Sequence, residues 1–418
     1  MTTSTTPTLL ASPRAHLAFF TDRAAAAIAD GKREFLELGR RAGRFPSAST
    51  SADPADGTAE ISVWCSNDYL GMGQQPQVMA AMRDALERFG AGSGGSRNIG
   101  GTNHVHVQLE TELAALHGKE AALIFTSGYT ANDGALTVIA GAVPDCVVFS
   151  DELNHASIID GLRHSGAAKR IFRHNDAAHL EELIAAEAPE RPKLIVLESV
   201  YSMSGDVAPI REVTEIARRY GATIFLDEVH AVGMYGPRGA GIAAREGLAD
   251  EIDVVMGTLG KGFGTAGGYI AGPAALIDAV RTLSRPFVFT TSLPPAVAAG
   301  ALAAVRHLAG SDTERSALHR NAKLLHGLLR ERGIPFLSDE SHIVSVLIGE
   351  DAACKKASAL LLERYRIYVQ SINAPSVKTG EEILRIAPGA LPEPAEVEKF
   401  VEALDSVWLE LGLPRTGA

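Results

Sequence analysis

Cysteine is scarce in this chain: Cys65, Cys146 and Cys354 are scattered through 418 residues. They make neither a disulfide framework nor a CxxC zinc signature, so a reducing, cytoplasmic setting is expected. Long apolar runs are missing as well. None approaches the ~18 residues that a membrane span needs, so no membrane partner is expected. Positive charge is also short. The net charge is −11 and no basic run reaches five residues, which argues against nucleic acid as a partner. Residues 1–11 are rich in Ser, Thr and Pro but lack a charged region followed by an apolar core. They read as a disordered tail, not a signal peptide. No internal repeat is visible. What is left, 46% hydrophobic and 21% charged, suits a globular chain with a large core.

The stretch 253–272 organises what is there. It reads Asp-Val-Val-Met-Gly-Thr-Leu-Gly-Lys-Gly-Phe-Gly-Thr-Ala-Gly-Gly-Tyr-Ile-Ala-Gly. A short apolar strand runs out, a glycine-lined loop carries Lys261, and a second apolar strand runs back. Glycine lets such a loop approach a flat cofactor closely. Desolvation there lowers the amine's pKa and frees its lone pair for a Schiff base. A plain surface lysine is the competing reading, and the rest of the chain decides between them.

Residues 14–43 have helical spacing and end at Gly43. Residues 47–58 read as a loop before a strand at 61–65, and helices are expected at 76–89 and 106–117. From residue 121 an apolar strand, a loop and an amphipathic helix alternate. Candidate strands are 121–125, 147–150, 170–172, 193–198, 222–226, 254–256 and 269–271. Continuous apolar strands between helices predict a mainly parallel seven-stranded sheet covered on both faces. Ligands of such sheets sit beyond the carboxyl ends of the strands. The polar signatures fall at those ends: Ser127-Gly128-Tyr129, 151–155, 199–205, 227–230 and 258–261. After Pro294 helices dominate (296–308 and 313–332), followed by a strand at 343–348, a helix at 352–364, an irregular segment at 368–382 and a helix at 394–411. The expected division is an N-terminal tail, helix and loop (1–60), a large domain (61–305) and a smaller α+β C-terminal domain (306–418).

Asp227 ends an apolar strand, with His230 three residues on. A carboxylate there can keep an electron-sink pyridine protonated. Alone it reads better as a helix N-cap beside a satisfied loop histidine, but one βα unit before Lys261 it reads as part of a site. Thr126-Ser-Gly-Tyr-Thr130 lies between strand and helix, where free N–H groups and the helix dipole suit a phosphate, although simple capping gives the same pattern. The glycine run 90–102 follows a helix, so it fails as a dinucleotide fingerprint. It is read instead as a flexible substrate loop carrying Ser96, Arg97 and Asn98. His155 follows a strand and can stack on a cofactor ring. His104 and His106 share no helix face and no HExxH occurs, so no metal site is expected. Lys169, Arg170 and Arg173 fit either phosphates or a solvated face. Arg385 is a lone cation in an apolar stretch, and if buried it needs a carboxylate partner.

The motifs Cys65-Ser-Asn-Asp-Tyr-Leu-Gly-Met-Gly73, Gly92-Ser-Gly-Gly-Ser-Arg-Asn-Ile99, Phe149-Ser-Asp-Glu-Leu-Asn-His-Ala-Ser157, Phe172-Arg-His-Asn-Asp176, Glu198-Ser-Val-Tyr-Ser-Met203, the run 227–239 and Phe289-Thr-Thr-Ser-Leu-Pro-Pro295 stand in order along the chain. Together the set resembles the α-oxoamine synthases, most closely the branch that forms 5-aminolevulinate. The resemblance implies a fold-type I pyridoxal 5'-phosphate transferase, a homodimer with shared sites, taking an amino acid and an acyl-CoA. It implies that Lys261 holds the cofactor and moves the substrate Cα proton. Asp227 would pair with the ring nitrogen, His155 stack on the ring, and His230 contact the ring oxygen with Ser202 nearby. Ser127, Gly128, Tyr129 and Thr258 would hold the phosphate, with Thr290 and Thr291 from the second subunit. Asn67 and Arg385 would hold the amino-acid carboxylate. Ser150 and Lys169 would contact the acyl-CoA side.

By the same resemblance, Arg33 faces a succinyl carboxylate, with Asn98 as second partner beside Ile99, and with Ser96 and Ser376 in place of threonines. A charged tail in a closed site needs a charge-assisted partner, so Arg33 favours a dicarboxylic acyl group. The implied reaction condenses glycine with succinyl-CoA to 5-aminolevulinate. The departures at Ser96, Gly100, Gly260, Gly262, Ser371, Ala374 and Lys378 mostly remove atoms near the substrates. That leaves open a synthase of a secondary pathway with a larger amino acid or another acyl-CoA. A non-catalytic cofactor-binding regulator is the remote alternative.

Overall fold

The computed structural model describes residues 15–29, 36–41, 47–49 and 60–416. The tail expected at 1–11 and Arg33 lie outside the described residues.

The seven candidate strands of the middle of the chain become seven strands, all largely buried except the edge strand β3: β1 (Ala121–Phe125), β2 (Val147–Asp151), β3 (Ala168–Phe172), β4 (Lys193–Glu198), β5 (Thr223–Asp227), β6 (Val254–Thr258) and β7 (Gly268–Gly272). They form one sheet in the order β1-β7-β6-β5-β4-β2-β3. β7 alone runs antiparallel to its neighbours, as a returning strand must. The remaining pairs are parallel. The sheet is the one expected, with strand ends shifted by one or two residues.

Because strand side chains alternate, two separate cores form. Ile124, Phe149, Ile195, Leu197, Ile224 and Leu226 face one side, under helices His104–His117, Ile210–Tyr220 and Pro295–Gly310. Phe125, Val148, Leu194, Val196, Phe225 and Met256 face the other. There they meet α1 (Gly128–Gly141), α2 (Ala156–Ser165) and the helix Ala274–Leu283. Each fully buried Phe or Leu contributes roughly 1.5–3 kcal/mol. That rigidity lets the strand ends carry costly buried charge.

A second small sheet pairs Val344–Leu347, Ile383–Ile386 and Gln370–Ile372, all antiparallel. It packs on helices Asp351–Tyr365 and Pro394–Glu410 around Leu360, Phe400, Leu404 and Trp408. Trp64 belongs to this core and stacks on Phe400 with ring centroids 4.4 Å apart. Three expectations change here. The N-terminal helix covers Ala15–Ala29, and Arg40–Arg41 is a strand instead of the helix continuing to Gly43. Ser47–Ser49, expected in a loop, is a strand between Arg40–Arg41 and Glu60–Val63. Gln370–Ile372, expected irregular, is also a strand. None of the three has a periodic apolar pattern, and cross-strand pairing decided each of them.

Candidate active site

Lys261 sits in the connection from β6 to β7. The loop is braced by its own backbone: Leu259 N–H donates to Gly267 O at 2.9 Å and Gly264 N–H to Lys261 O at 2.8 Å. The Thr258 hydroxyl donates to Gly267 O at 2.9 Å and accepts from Gly260 N–H at 3.2 Å. A Cβ on Gly262 would lie 2.4 Å from Val232 O, so glycine there is required by close backbone approach. The Lys261 amine points inward. Burial pulls its pKa down to about 8, although Asp227 opposes the shift.

The amine lines a cavity of about 140 Å³ together with Gly128, Tyr129, Asn132, His155, Glu198, Asp227, His230 and Thr258. Four of these come from the ends of β4, β5 and β6 or the residues just after them. Asp227 ends β5, is 4% exposed, and accepts from Asn132 Nδ2 and Val229 N–H, each at 2.8 Å. In register beside it on β4 stands Glu198, also buried, accepting from His155 N–H at 2.6 Å. Burial raises both carboxyl pKa values. The rise is larger for Glu198, which Asp227 also repels, while hydrogen bonds and Lys261 restrain Asp227. Asp227, with two hydrogen-bond donors and Lys261 acting on it, is thus the member of the pair whose charged form is better supported.

His155 precedes α2 and caps it. Burial lowers its pKa, so the ring is neutral. His230 is driven well below its usual range by burial, then by the nearby cations Lys261 and Arg385. Its Nδ1 lies 3.1 Å from the Tyr69 hydroxyl. At the start of α1, Ser127 Oγ accepts from Thr130 N–H at 3.1 Å. By position the N–H groups of Gly128 and Tyr129 have no acceptor within the helix and face an anion's place. An amine with a lowered pKa, a hydrogen-bonded carboxylate, a flat imidazole and a helix N-terminus around one cavity fit pyridoxal phosphate.

Arg385 lies in the strand Ile383–Ile386 and is 8% exposed. Its Nε donates to Ser202 O at 2.7 Å, Nη2 to Tyr69 Oη at 3.1 Å and Nη1 to Asn67 Oδ1 at 3.5 Å. The carboxylate expected beside this cation is absent: among the described residues Arg385 has only these neutral acceptors. Ser202 meets Arg385 through its carbonyl, and its side of the chain lines a larger cavity of about 590 Å³. That cavity also contains Tyr201, Met203, Ser376 and Lys378.

Other expected residues lie apart from the Lys261 cavity. Thr290 and Thr291 line a separate small pocket with Arg97, and Ser96 bridges to Thr291. Asn98 is exposed and Ile99 is 79% exposed. Arg97, read as a substrate-loop residue, is buried against Glu110 in a bidentate pair at 2.7 and 3.0 Å, so it braces the loop. Ser150 is 2% exposed within β2, with its oxygen accepting from Asn154 Nδ2 at 2.9 Å. Lys169 is exposed on edge strand β3. Arg170 pairs with Glu187 and Arg173 with Asp176, a solvated face.

Sequence reasoning missed four residues of the site: Glu198, Asn132, Ser157 and Tyr69. Glu198 closes an apolar strand just as Asp227 does, and that shared placement was the available signal. Asn132 lies four residues after Gly128, on the same helix face.

Residues 59–404 match the family described as aminotransferase class I and II. The 5-aminolevulinate synthase of Rhizobium meliloti is 54% identical over 386 residues, covering 92% of this chain and 95% of the relative. The serine palmitoyltransferase of Sphingomonas wittichii is 31% identical with a TM-score of 0.88, over 97% of this chain and all of that one. A solved SPT variant with PLP is likewise 31% identical, with a TM-score of 0.89 over 96% of this chain and 100% of its own.

Proposed function

We propose, on the premise that this chain belongs to the aminotransferase class I and II family and to its 5-aminolevulinate synthase branch, that it condenses glycine with succinyl-CoA. The products are 5-aminolevulinate, CoA and CO2. The enzyme is a pyridoxal-phosphate-dependent acyltransferase. One observation carries the reading: a desolvated amine and a charged carboxylate share a cavity, close to a buried arginine that lacks a carboxylate partner.

When bound, the cofactor supplies an electron sink that makes a Cα proton removable. Asp227 holds the charge that keeps the ring nitrogen protonated, and His155 packs on the ring. Ser127, Gly128, Tyr129 and Thr258 hold the phosphate, and His230 the ring oxygen. Lys261 Nζ is the base that takes the Cα proton. Arg385, with Asn67, binds the amino-acid carboxylate bidentately and so fixes which Cα bond is presented. Arg33 receives the distal carboxylate of the acyl group, with Asn98, Ile99 and Ser96. Ser202 belongs beside His230 at the ring oxygen, Ser376 to the acyl side, and Ser150 and Lys169 to the CoA side.

A homodimer with shared sites would complete this assignment. Thr290 and Thr291 line a pocket other than this chain's own Lys261 cavity, Asn98 and Ile99 are exposed, and Phe289 is 76% exposed. Among the described residues no helix is long and apolar enough to cross a membrane. The three cysteines are free, in keeping with a cytoplasmic setting.

The test mixes cofactor-loaded protein with glycine and succinyl-CoA and assays aminolevulinate. Product formation is expected, and its absence rejects this substrate pair. Lys378 and Ser376 border the 590 Å³ cavity, so alanine, serine and glutamate belong in the same panel.

A further inference from the structure

Asn132 lies in the second turn of α1 and is 1% exposed. Its Nδ2 donates one hydrogen to Asp227 Oδ2 at 2.8 Å and the other to Ser157 Oγ at 3.0 Å. The opposite amide orientation would set an oxygen against the Asp227 carboxylate, so the nitrogen faces it. With Ser157 Oγ accepting from Asn132, its hydroxyl hydrogen is directed to His155 Nδ1, 2.8 Å away. Ser157 N–H also donates to that nitrogen at 3.2 Å. His155 Nδ1 is therefore an acceptor, and the ring hydrogen belongs on Nε2. The helix spacing is fixed too. A Cβ on Gly161 of α2 would lie 2.9 Å from Asn132 O, so only glycine lets α1 and α2 approach closely enough for this chain of bonds.

We propose that Asn132 is a positioning residue. Its single amide nitrogen holds Asp227 in the acceptor-only, charged form and, through the Ser157 hydroxyl, fixes the tautomer and plane of His155. The two groups expected on the ring nitrogen and the ring face are thereby locked by one side chain that need not touch substrate. The inference rests on the reading of the Lys261 cavity as the pyridoxal-phosphate site. The titratable and charged groups facing this network are Glu198 from β4, Lys261 from the β6–β7 loop, His230 from the segment after β5, and Tyr129 from α1. Glu198 and Lys261 act directly on Asp227 or His155, and Arg385 acts on Lys261. All of them stay in place in the variants below.

The experiment uses holoenzyme with 15N-labelled histidine, His155 being assigned with the His155→Gln protein. Wild type is expected to show hydrogen on Nε2 alone, Ser157→Ala and Asn132→Leu a mixture of tautomers, and Ser157→Thr the wild-type pattern. In Asn132→Leu the pH midpoint of the bound cofactor's visible absorbance rises by about one unit, a tenfold change. A ring whose proton is held less firmly withdraws less charge from its link to Lys261. Unchanged tautomer and midpoint in folded, cofactor-loaded Asn132→Leu and Ser157→Ala overturn the proposal. If Asn132→Leu does not fold, the tautomer in Ser157→Ala and its rescue in Ser157→Thr decide. Wild-type protein that takes up no cofactor overturns the reading of the site instead, and the His155 tautomer still decides the relay.

Discussion

His155 and His174 follow the ends of adjacent strands, β2 and β3, yet their surroundings push them in opposite directions. His174 lies between two carboxylates, with Asp151 Oδ1 at 3.0 Å from Nδ1 and Asp206 Oδ2 at 2.5 Å from Nε2. Burial opposes its charge, but hydrogen bonds to both aspartates outweigh that and raise its pKa to about 9. His155 has no carboxylate on its ring and is held neutral by burial. The His174 cluster is satisfied from within and stabilises the fold. In the Lys261 cavity an amine is held below its usual pKa, a carboxylate is charged, and the nearby Arg385 cation lacks a counter-ion. Groups left in that condition mark a place prepared for a ligand.

The comparison is broken most strongly at Lys261. Lys261→Ala is expected to lower aminolevulinate formation by ~10³-fold or more, since one amine serves as attachment point and base. The thermal midpoint of the cofactor-free protein should not fall, because a buried amine is removed. Activity close to wild type would contradict its role.

Next come the paired carboxylates. Asp227→Asn is expected to cost roughly 10²–10³-fold in kcat/KM, the size of a lost electrostatic stabiliser. Glu198→Gln should change it only a few-fold, because burial and Asp227 already disfavour charge on Glu198 and an amide oxygen can still accept from His155 N–H. Equal losses in both variants would show that the charge is not confined to Asp227.

The sheet and its covering helices were legible because the core enforces them: every strand but the edge strand β3 is an apolar run with nearly all of its residues buried. The grouping of Lys261, Asp227, His155 and His230 was legible because parallel strands place their ends together. The partners Asn132, Ser157 and Glu198 were harder to see. Their roles depend on α1 meeting α2 at Gly161 and on β4 lying in register with β5, and neither contact leaves a periodic trace. Arg97 was misread because a glycine-rich setting suggests motion, whereas buried Glu110 clamps it. The strand Ser47–Ser49 carries no apolar pattern, and only its neighbours define it.

The His174 side sharpens the contrast through stability. Its raised pKa stabilises the folded state fully below the unfolded value of 6.5, and the effect is lost as pH rises through about 9. The shift sets a ceiling of about 3 kcal/mol. His174→Gln should lose roughly 2 kcal/mol at pH 6 and flatten the decline between pH 7 and 9.5, measured by urea unfolding of the cofactor-free protein. A variant that retains the wild-type decline would assign it elsewhere.

The smallest effect concerns the rate of cofactor capture. Lys261, with its pKa lowered to about 8, is protonated below that pH and nucleophilic above it. The rate at which cofactor-free protein takes up pyridoxal phosphate should rise through pH 8 and level off, which stopped-flow absorbance would follow. A rise continuing toward the ordinary lysine range would mean that the amine is not desolvated.

The most direct measurement is reductive trapping. Cofactor-loaded protein treated with borohydride and digested should carry the pyridoxyl group on the peptide containing Lys261, and the label should vanish in Lys261→Ala. Pyridoxyl on another lysine, or none on protein that makes aminolevulinate, would contradict the placement of this site.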